Sequence, residues 1–325
     1  MVGSMFAAVS GLKAHQTRLD VLGNNIANVN TWGYKAQTAH LEDSAYRNYT
    51  VGNGNLGERG GGVNTSQIGY GSRVGYVSVN YTTGNWNPTG YGSDCMINGA
   101  GFFIVTKNLD TNNVAKWAAD IDPEGADPVA NNISVDGATY QGAGFEVTSE
   151  AGMQLSRVGI LGIDNEGYIV DSNGYYVLNY EGKAMQVPQK TQNLPTGVQG
   201  NQYYSFAALT IQKDGTITGV IESPIQHANK EIVLGQLGIA SVQNVNGLQH
   251  NEGYYYDIGP NAGTVTGNVT NAATGDILGG YLEMSNTDLA NEITTMITTQ
   301  RGYQANTRIV TVTDEMLQEL INMKR

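Results

Sequence analysis

The stretch LDVLGNNIANVNTWGYK, Leu19 to Lys35, decides how this chain is read. Leu19, Leu22 and Ile26 fall on one helical face. Asparagine then takes over at Asn24, Asn25, Asn28 and Asn30, and Gly33 separates Trp32 from Tyr34. Asparagine side chains bond to nearby backbone and tolerate left-handed φ, so such a cluster closes a helix. The run predicts a helix that ends near Asn28, with a sharp exit at Gly33 anchored by the two aromatics. Asn24, Asn25, Asn28, Trp32, Gly33 and Tyr34 are the expected helix-to-linker junction.

Upstream, Met5, Val9, Leu12, Gln16, Leu19, Gly23 and Ile26 follow in alternating steps of four and three, a mostly apolar heptad seam. Ser4 is the expected N-cap. Gly23 costs the helix about 1 kcal/mol against Ala, and a lone helix of this length is marginal in water. It needs a partner.

The far end of the chain supplies one. Leu289, Ile293, Met296, Gln300, Tyr303, Thr307, Val310, Asp314, Leu317 and Ile321 keep the same rhythm. Ser285, Asn286 and Asp288 offer helix-start chemistry, and no proline follows them. As one helix, residues 286–323 would run roughly 57 Å. Gln300, Thr307 and Asp314 are polar members of the seam, of the kind that sets register. Leu12, Leu19 and Ile26 are expected to meet Ile293, Met296, Tyr303, Val310 and Leu317.

Between the helices the character changes. Residues 31–60 are polar and rich in Gly and Asn, and read as an extended linker. Residues 61–258 read as β-rich, with 106–152 as an insertion or small lobe. GILGIDNEGYIVDSNGYYVLNY, 159–180, alternates strands and turns, and FAALTIQKDGTITGVI, 206–221, is a hairpin turning at Asp214-Gly215. Residues 259–284 read as a return linker. The fold class is α+β: helices at 1–30 and 285–325 form one helical domain, with the β-rich part inserted between them.

Composition narrows the function. The 325 residues carry a net charge of −12, and charged residues make up only 14%. The pI near 4.7 argues against nucleic acid or an anionic membrane as partner. No apolar run is long enough for a membrane span. The 43 glycines and 19 tyrosines suit turns and sticky surfaces. The opening MVGSMFAAVSGLKAHQ is broken by Gly3, Gly11 and Lys13, unlike a cleaved signal peptide.

Catalytic and ligand motifs fail on context. GNGNLG, 52–57, has the dinucleotide glycine spacing, but no strand precedes it and no helix follows it. His15, His40, His227 and His250 are scattered, with His15 expected to face solvent. Asp164 and Asp171 stand in turn sequences rather than calcium loops. The reading is no catalytic residue, no cofactor and no metal. YYVLNY, QYYSF and GYYYD are expected as cross-strand pairs or subunit contacts, with a carbohydrate site as the functional alternative. Cys95, the single cysteine, reads as a small buried hydrophobe, with a cross-link between subunits as the functional alternative.

MFAAVSGLKAHQTRLDVLGNNIANVNTWGYK at one end and GGYLEMSNTDLANEITTMITTQRGYQANTRIVTVTDEMLQELINMKR at the other resemble the segments shared by bacterial flagellar rod and hook proteins. TGYGSDCMINGAGFFIV and GIDNEGYIVDSNGYYVL are similar to two further stretches of that family. Within it, RGGGVNTSQIGYGSRVGYVSVNYTTGNW is similar to the hook branch of the Gram-positive type, and the distal rod protein is the near neighbour.

The resemblance implies a structural protein rather than an enzyme. It implies a homopolymer forming a curved helical tube, the universal joint between rod and filament. Its implied partners are the distal rod protein, the hook cap protein, the hook-filament junction protein and the flagellar type III export apparatus. The implied location is extracellular, at the flagellum, reached without a cleaved signal. The subunit-packing residues are then expected to be Met5, Val9, Leu12, Leu19, Leu22 and Ile26, with Leu289, Ile293, Met296, Tyr303, Val310, Leu317 and Ile321.

Overall fold

The computed structural model describes residues 2–54, 61–107, 114–115, 145–147, 152–165, 167–185, 205–223, 231–268 and 274–323. Most of the expected 106–152 insertion lies outside them. The fold is α+β, and the chain divides into two units. The first joins residues 1–80 to 285–325, and the second is residues 81–284.

In the first unit, α1 spans Val2–Ala27 and α2 spans Leu289–Met323. Ser4 lies inside α1 rather than capping it. Asp288 caps α2, its Oδ1 accepting from the N–H groups of Ala290 (3.1 Å) and Asn291 (3.3 Å). Four strands share this unit: β1 (Gln37–Asp43), β2 (Tyr46–Thr50), β3 (Ser66–Gly69) and β4 (Ser72–Val79). β1 pairs antiparallel with β4, and β2 with β3.

These strands correct the expected 31–60 linker and the expected domain start at 61. β1, QTAHLED, offers only Ala39 and Leu41 as alternating apolar residues, too short a signal to set it apart from a linker. It is a strand because β4 pairs with it and because Ala39 is buried. At Gly71 the chain leading into β4 passes so close to α1 that a Cβ would fall on the Ser10 hydroxyl. The docking is steric and local, which periodicity does not record.

In the second unit, β5 (Trp86–Pro88), β6 (Asp94–Asn98) and β7 (Phe102–Thr106) come first. Among the described residues, both β6 and β7 join a twelve-stranded antiparallel sheet with β7 near its middle. Alternation along β7 sends Phe103 and Val105 into one core, and Phe102 and Ile104 into another. The strand is therefore buried on both faces. The predicted hairpins form: strands 159–163, 169–171 and 176–177 turn at Asp164 and Asp171, and Ser205–Ile211 pairs with Thr216–Ser223 around Gly215 at φ 82°. The expected return linker 259–284 instead carries strands Val265–Asn268, Asp276–Gly279 and Tyr281–Glu283. Their glycines hid the pattern. Gly279, for one, is needed because a Cβ there would meet the Ile211 carbonyl at 2.2 Å.

Candidate functional site

The helices of the first unit pair antiparallel, since Gly11 faces Asn306 while His15 faces Gly302. The seam between them is built from small and polar residues. Ala8, Gly11, Ala14, Leu22 and Asn25 are buried on α1, and Thr299 and Thr313 on α2. Both threonine hydroxyls bond carbonyls one turn back, Thr295 at 2.7 Å and Ile309 at 2.9 Å, so they bring no unmet polar group inside. Glycine at 11 and 302 permits the close approach. His15 is not solvent-facing as expected: its ring lies over Gly302 and its Nδ1 is buried without a hydrogen bond.

This seam replaces the predicted one. Of the expected packing residues only Leu22 is buried. Met5, Leu12, Leu19, Ile26, Met296, Val310 and Leu317 are half-buried, while Val9, Leu289, Ile293, Tyr303 and Ile321 are exposed. The heptad residues lie beside the centre of the seam rather than in it, half-buried or exposed. The pairing selects small residues because they let two backbones approach.

A second apolar row escaped the sequence reading. Ile309, Val312, Met316, Leu320 and Met323 are all exposed, at steps of three and four. They flank the seam on the side opposite Val310, Leu317 and Ile321. Extending the helix register puts Val2 opposite about residue 315. The last turns of α2 therefore run past α1 with Met316, Leu320, Ile321 and Met323 uncovered. A helix apolar on more than one side is one that expects burial.

The junction holds the expected asparagines, with sharper roles. Asn28 closes α1, its backbone N–H and its Nδ2 both donating to the Asn24 carbonyl. Asn25 is wholly buried and ties the exit to the helix: its Nδ2 donates to the Gln37 carbonyl (2.7 Å) and its Oδ1 accepts from the Gln37 N–H (2.9 Å). The Tyr34 hydroxyl also donates to Asn25 Oδ1 (3.0 Å) and accepts from Asn24 Nδ2 (3.1 Å). Burial, then the nearby Glu292 carboxylate, pushes the Tyr34 phenol up to about 12. Gly33 makes the turn with φ 65°, and Trp32 is half-buried beside it. Asn286, read only as helix-start chemistry, is a cross-brace. Its Oδ1 accepts from the Ala36 N–H and its Nδ2 donates to the Asn80 carbonyl, both at 2.8 Å.

In the second unit Cys95 is fully buried in the core, with its thiol pushed well up by burial. A cross-link between subunits needs an exposed thiolate, so that alternative is corrected to the buried one. Tyr255 and Tyr256 are likewise core residues, and the Tyr254 and Tyr255 hydroxyls donate to Asp171. Of QYYSF, Gln202 to Tyr204 lie outside the described residues.

The flagella basal body rod protein family matches residues 5–35, and the C-terminal family of flagellar basal body rod FlgEFG proteins matches 278–323. The flagellar basal-body rod protein FlgG of Bacillus subtilis is 33% identical over 327 residues, covering all of both chains. The chain belongs to the flagellar rod and hook family. The hook protein FlgE of Borreliella burgdorferi is 28% identical over 445 residues, again across both chains, and FlgG of Buchnera aphidicola from Acyrthosiphon pisum is 26% identical over 330. The family is a structural one of the flagellar basal body and hook. Its two matched segments coincide with the helical pair and the junction. Asn24, Asn25, Gly33 and Tyr34 stand in the first, and Asn286 and Glu292 in the second.

Proposed function

We propose that this chain polymerises with its own copies into a tube of the flagellar axis, outside the cell, through the outward apolar faces of α1 and α2. The observation that carries this is the inverted helical pair. It buries small residues and leaves Phe6, Ile293, Ile309, Val312, Met316 and Leu320 exposed. Neighbours burying such faces gain about 25 cal/mol per Å² of apolar surface. The uncovered end of α2, apolar on two flanks, needs more than one neighbour. The second unit keeps its large side chains inside, with Cys95 inert in its core.

The position along the axis has two readings. The hook, a bendable joint between rod and filament, rests on the likeness of residues 59–86 to hook proteins. There the neighbours would be the distal rod protein, the hook cap and the junction proteins, with delivery by the flagellar type III export apparatus. The distal rod rests on alignment length. The B. subtilis rod relative aligns over 327 residues, while the B. burgdorferi hook relative needs 445. That hook protein carries residues with no counterpart here.

Electron microscopy of tubes grown from the purified chain tests both layers of the proposal. Val312→Glu with Leu320→Glu should leave monomer stability within about 0.5 kcal/mol, because both sites are exposed, and should abolish tubes. Tubes from that variant would sink the helical-face reading. With the unchanged protein, curved and bendable tubes indicate hook, and straight rigid ones indicate rod.

A further inference from the structure

Among the described residues of the second unit, Arg157 is the largest side chain that solvent does not reach. Every part of it is engaged. Nε donates to Glu283 Oε2 at 2.9 Å, Nη1 to the Gly101 carbonyl, and Nη2 to the Gly99 carbonyl and to Thr83 Oγ1 at 3.4 Å. The guanidinium also lies over the Phe102 ring, 5.4 Å from its centroid. Glu283, equally buried, accepts the Gly84 N–H at 2.8 Å with its other oxygen. Sequence reading missed this pair, since no periodicity places an Arg and a Glu 126 positions apart.

The position of the pair is unusual. Residues 81–84 lead the chain into the second unit and residue 284 leads it out. Just inside, β5 pairs with Tyr281–Glu283 in a two-stranded ladder of three residues a side. Tension that draws residues 82 and 284 apart meets that ladder at its open end, one hydrogen bond at a time. A ribbon so short is marginal by itself. Yet Glu283 stands at the open end, held by Gly84 and by an arginine that also grips the Gly99–Gly101 turn. Beyond the outermost bond, from the Met284 N–H to the Asn85 carbonyl (2.8 Å), opening the ladder requires stripping a buried carboxylate from a buried guanidinium.

We infer that the Arg157–Glu283 pair is a mechanical clasp, closing the second unit where the chain enters and leaves it, so that tension across residues 82 and 284 reaches the whole unit at once. Equilibrium stability is a poor explanation for such a pair, since apolar replacements of buried ion pairs are often neutral or stabilising. Resistance to peeling is a separate property and depends on where the pair sits. The axial reading gives the clasp its purpose, transmission of torque, but the clasp is tested on single monomers and stands or fails independently of tube formation.

The experiment is force spectroscopy on the full chain, with handles at Thr82→Cys and Met284→Cys, both exposed. In the unaltered background the first rupture should release the second unit in one large step. A preceding short step, matching release of the β5 ladder alone, would overturn the inference without any core substitution. In Arg157→Met/Glu283→Leu, lifetime at constant load should shorten at least roughly tenfold, equivalent to about 1.4 kcal/mol of barrier. Glu283→Gln, keeping shape and the Gly84 bond, should act in the same direction. Unchanged lifetimes in a folded variant would overturn it. So would an equal loss with handles at Asn173→Cys and Glu252→Cys, because that would mean general weakening.

Discussion

The two units of this chain bury opposite kinds of residue. In residues 81–284 the large side chains are inside: Phe102, Phe103, Met96, Ile97, Ile104 and Ile277 are fully enclosed. In the helical unit the buried residues are mostly Ala, Gly, Thr and Asn, with Leu22 and Lys35 beside them. Among the described residues, most exposed large hydrophobics belong to that unit, the exceptions being Trp86, Tyr91, Val233 and Met284. One unit is finished as a monomer, and the other keeps its apolar surface for something else. The contrast teaches that hydrophobic rhythm reports a face that will be buried, without saying whether the same chain or a neighbour buries it.

The strongest way to break this comparison is through the second core. Phe103→Ala should destabilise residues 81–284 by about 3–5 kcal/mol, the cost of a large cavity in a well-packed core. Denaturant titration followed by tyrosine fluorescence should show that loss. The helical unit, followed by amide exchange on α1 and α2, should hardly change. Equal loss in both would mean that the two units fold as one, and the contrast would be false.

A polar deletion sharpens the other side. Asn25→Ala removes the acceptor of the Gln37 N–H and the Tyr34 hydroxyl, and the donor to the Gln37 carbonyl. Unsatisfied buried groups cost about 1–3 kcal/mol each, and water entering the junction lowers the sum. We expect about 2–3 kcal/mol, seen as faster amide exchange at Gln37 and along β1. Exchange in residues 81–284 should stay as it was. An unaffected Gln37 amide would show that the junction is held by something other than Asn25.

Much of this architecture was legible because its signals are local. The helix stop at Asn28 and Gly33, the hairpins at Asp164, Asp171 and Asp214, and the burial of Cys95 each follow from a few neighbouring residues. Three things were not. β1 is a strand by virtue of its partner and of one alanine under α1. The helix seam uses small residues, which carry little weight in an apolar count, whereas the larger Val9, Ile293 and Tyr303 stand out in the sequence but are exposed in the monomer. Arg157 and Glu283 meet only once the sheet is built. In each case the missing information is a tertiary distance, and at Gly11, Gly71 and Gly302 the only trace in the sequence is the absence of a Cβ.

The smallest expected effect concerns His15, in the seam itself. Its ring packs on Gly302, where a Cβ would approach Cε1 and Nε2 to 3.0 Å, and its buried Nδ1 has no acceptor for a proton. Burial first, and Arg18 second, lower its pKa below the ordinary 6.5. On α2 the charged neighbour in sequence is Arg301, which offers no compensation. The folded seam therefore prefers the neutral ring. As pH falls through 6.5 the unfolded chain takes up the proton first, so stability is full above the unfolded value and declines toward the lower folded one. Carboxylates titrate mostly below about pH 5, and comparison with a His15 variant separates the share of His15 from that of the other histidines. The helix-pair melting point should fall modestly between about pH 7 and 5, and His15→Gln should flatten that limb. Were the slope the same in both proteins, the seam would be looser around His15 than its packing on Gly302 implies, and the division between a small-residue seam and an outward apolar face would lose its sharpest internal marker.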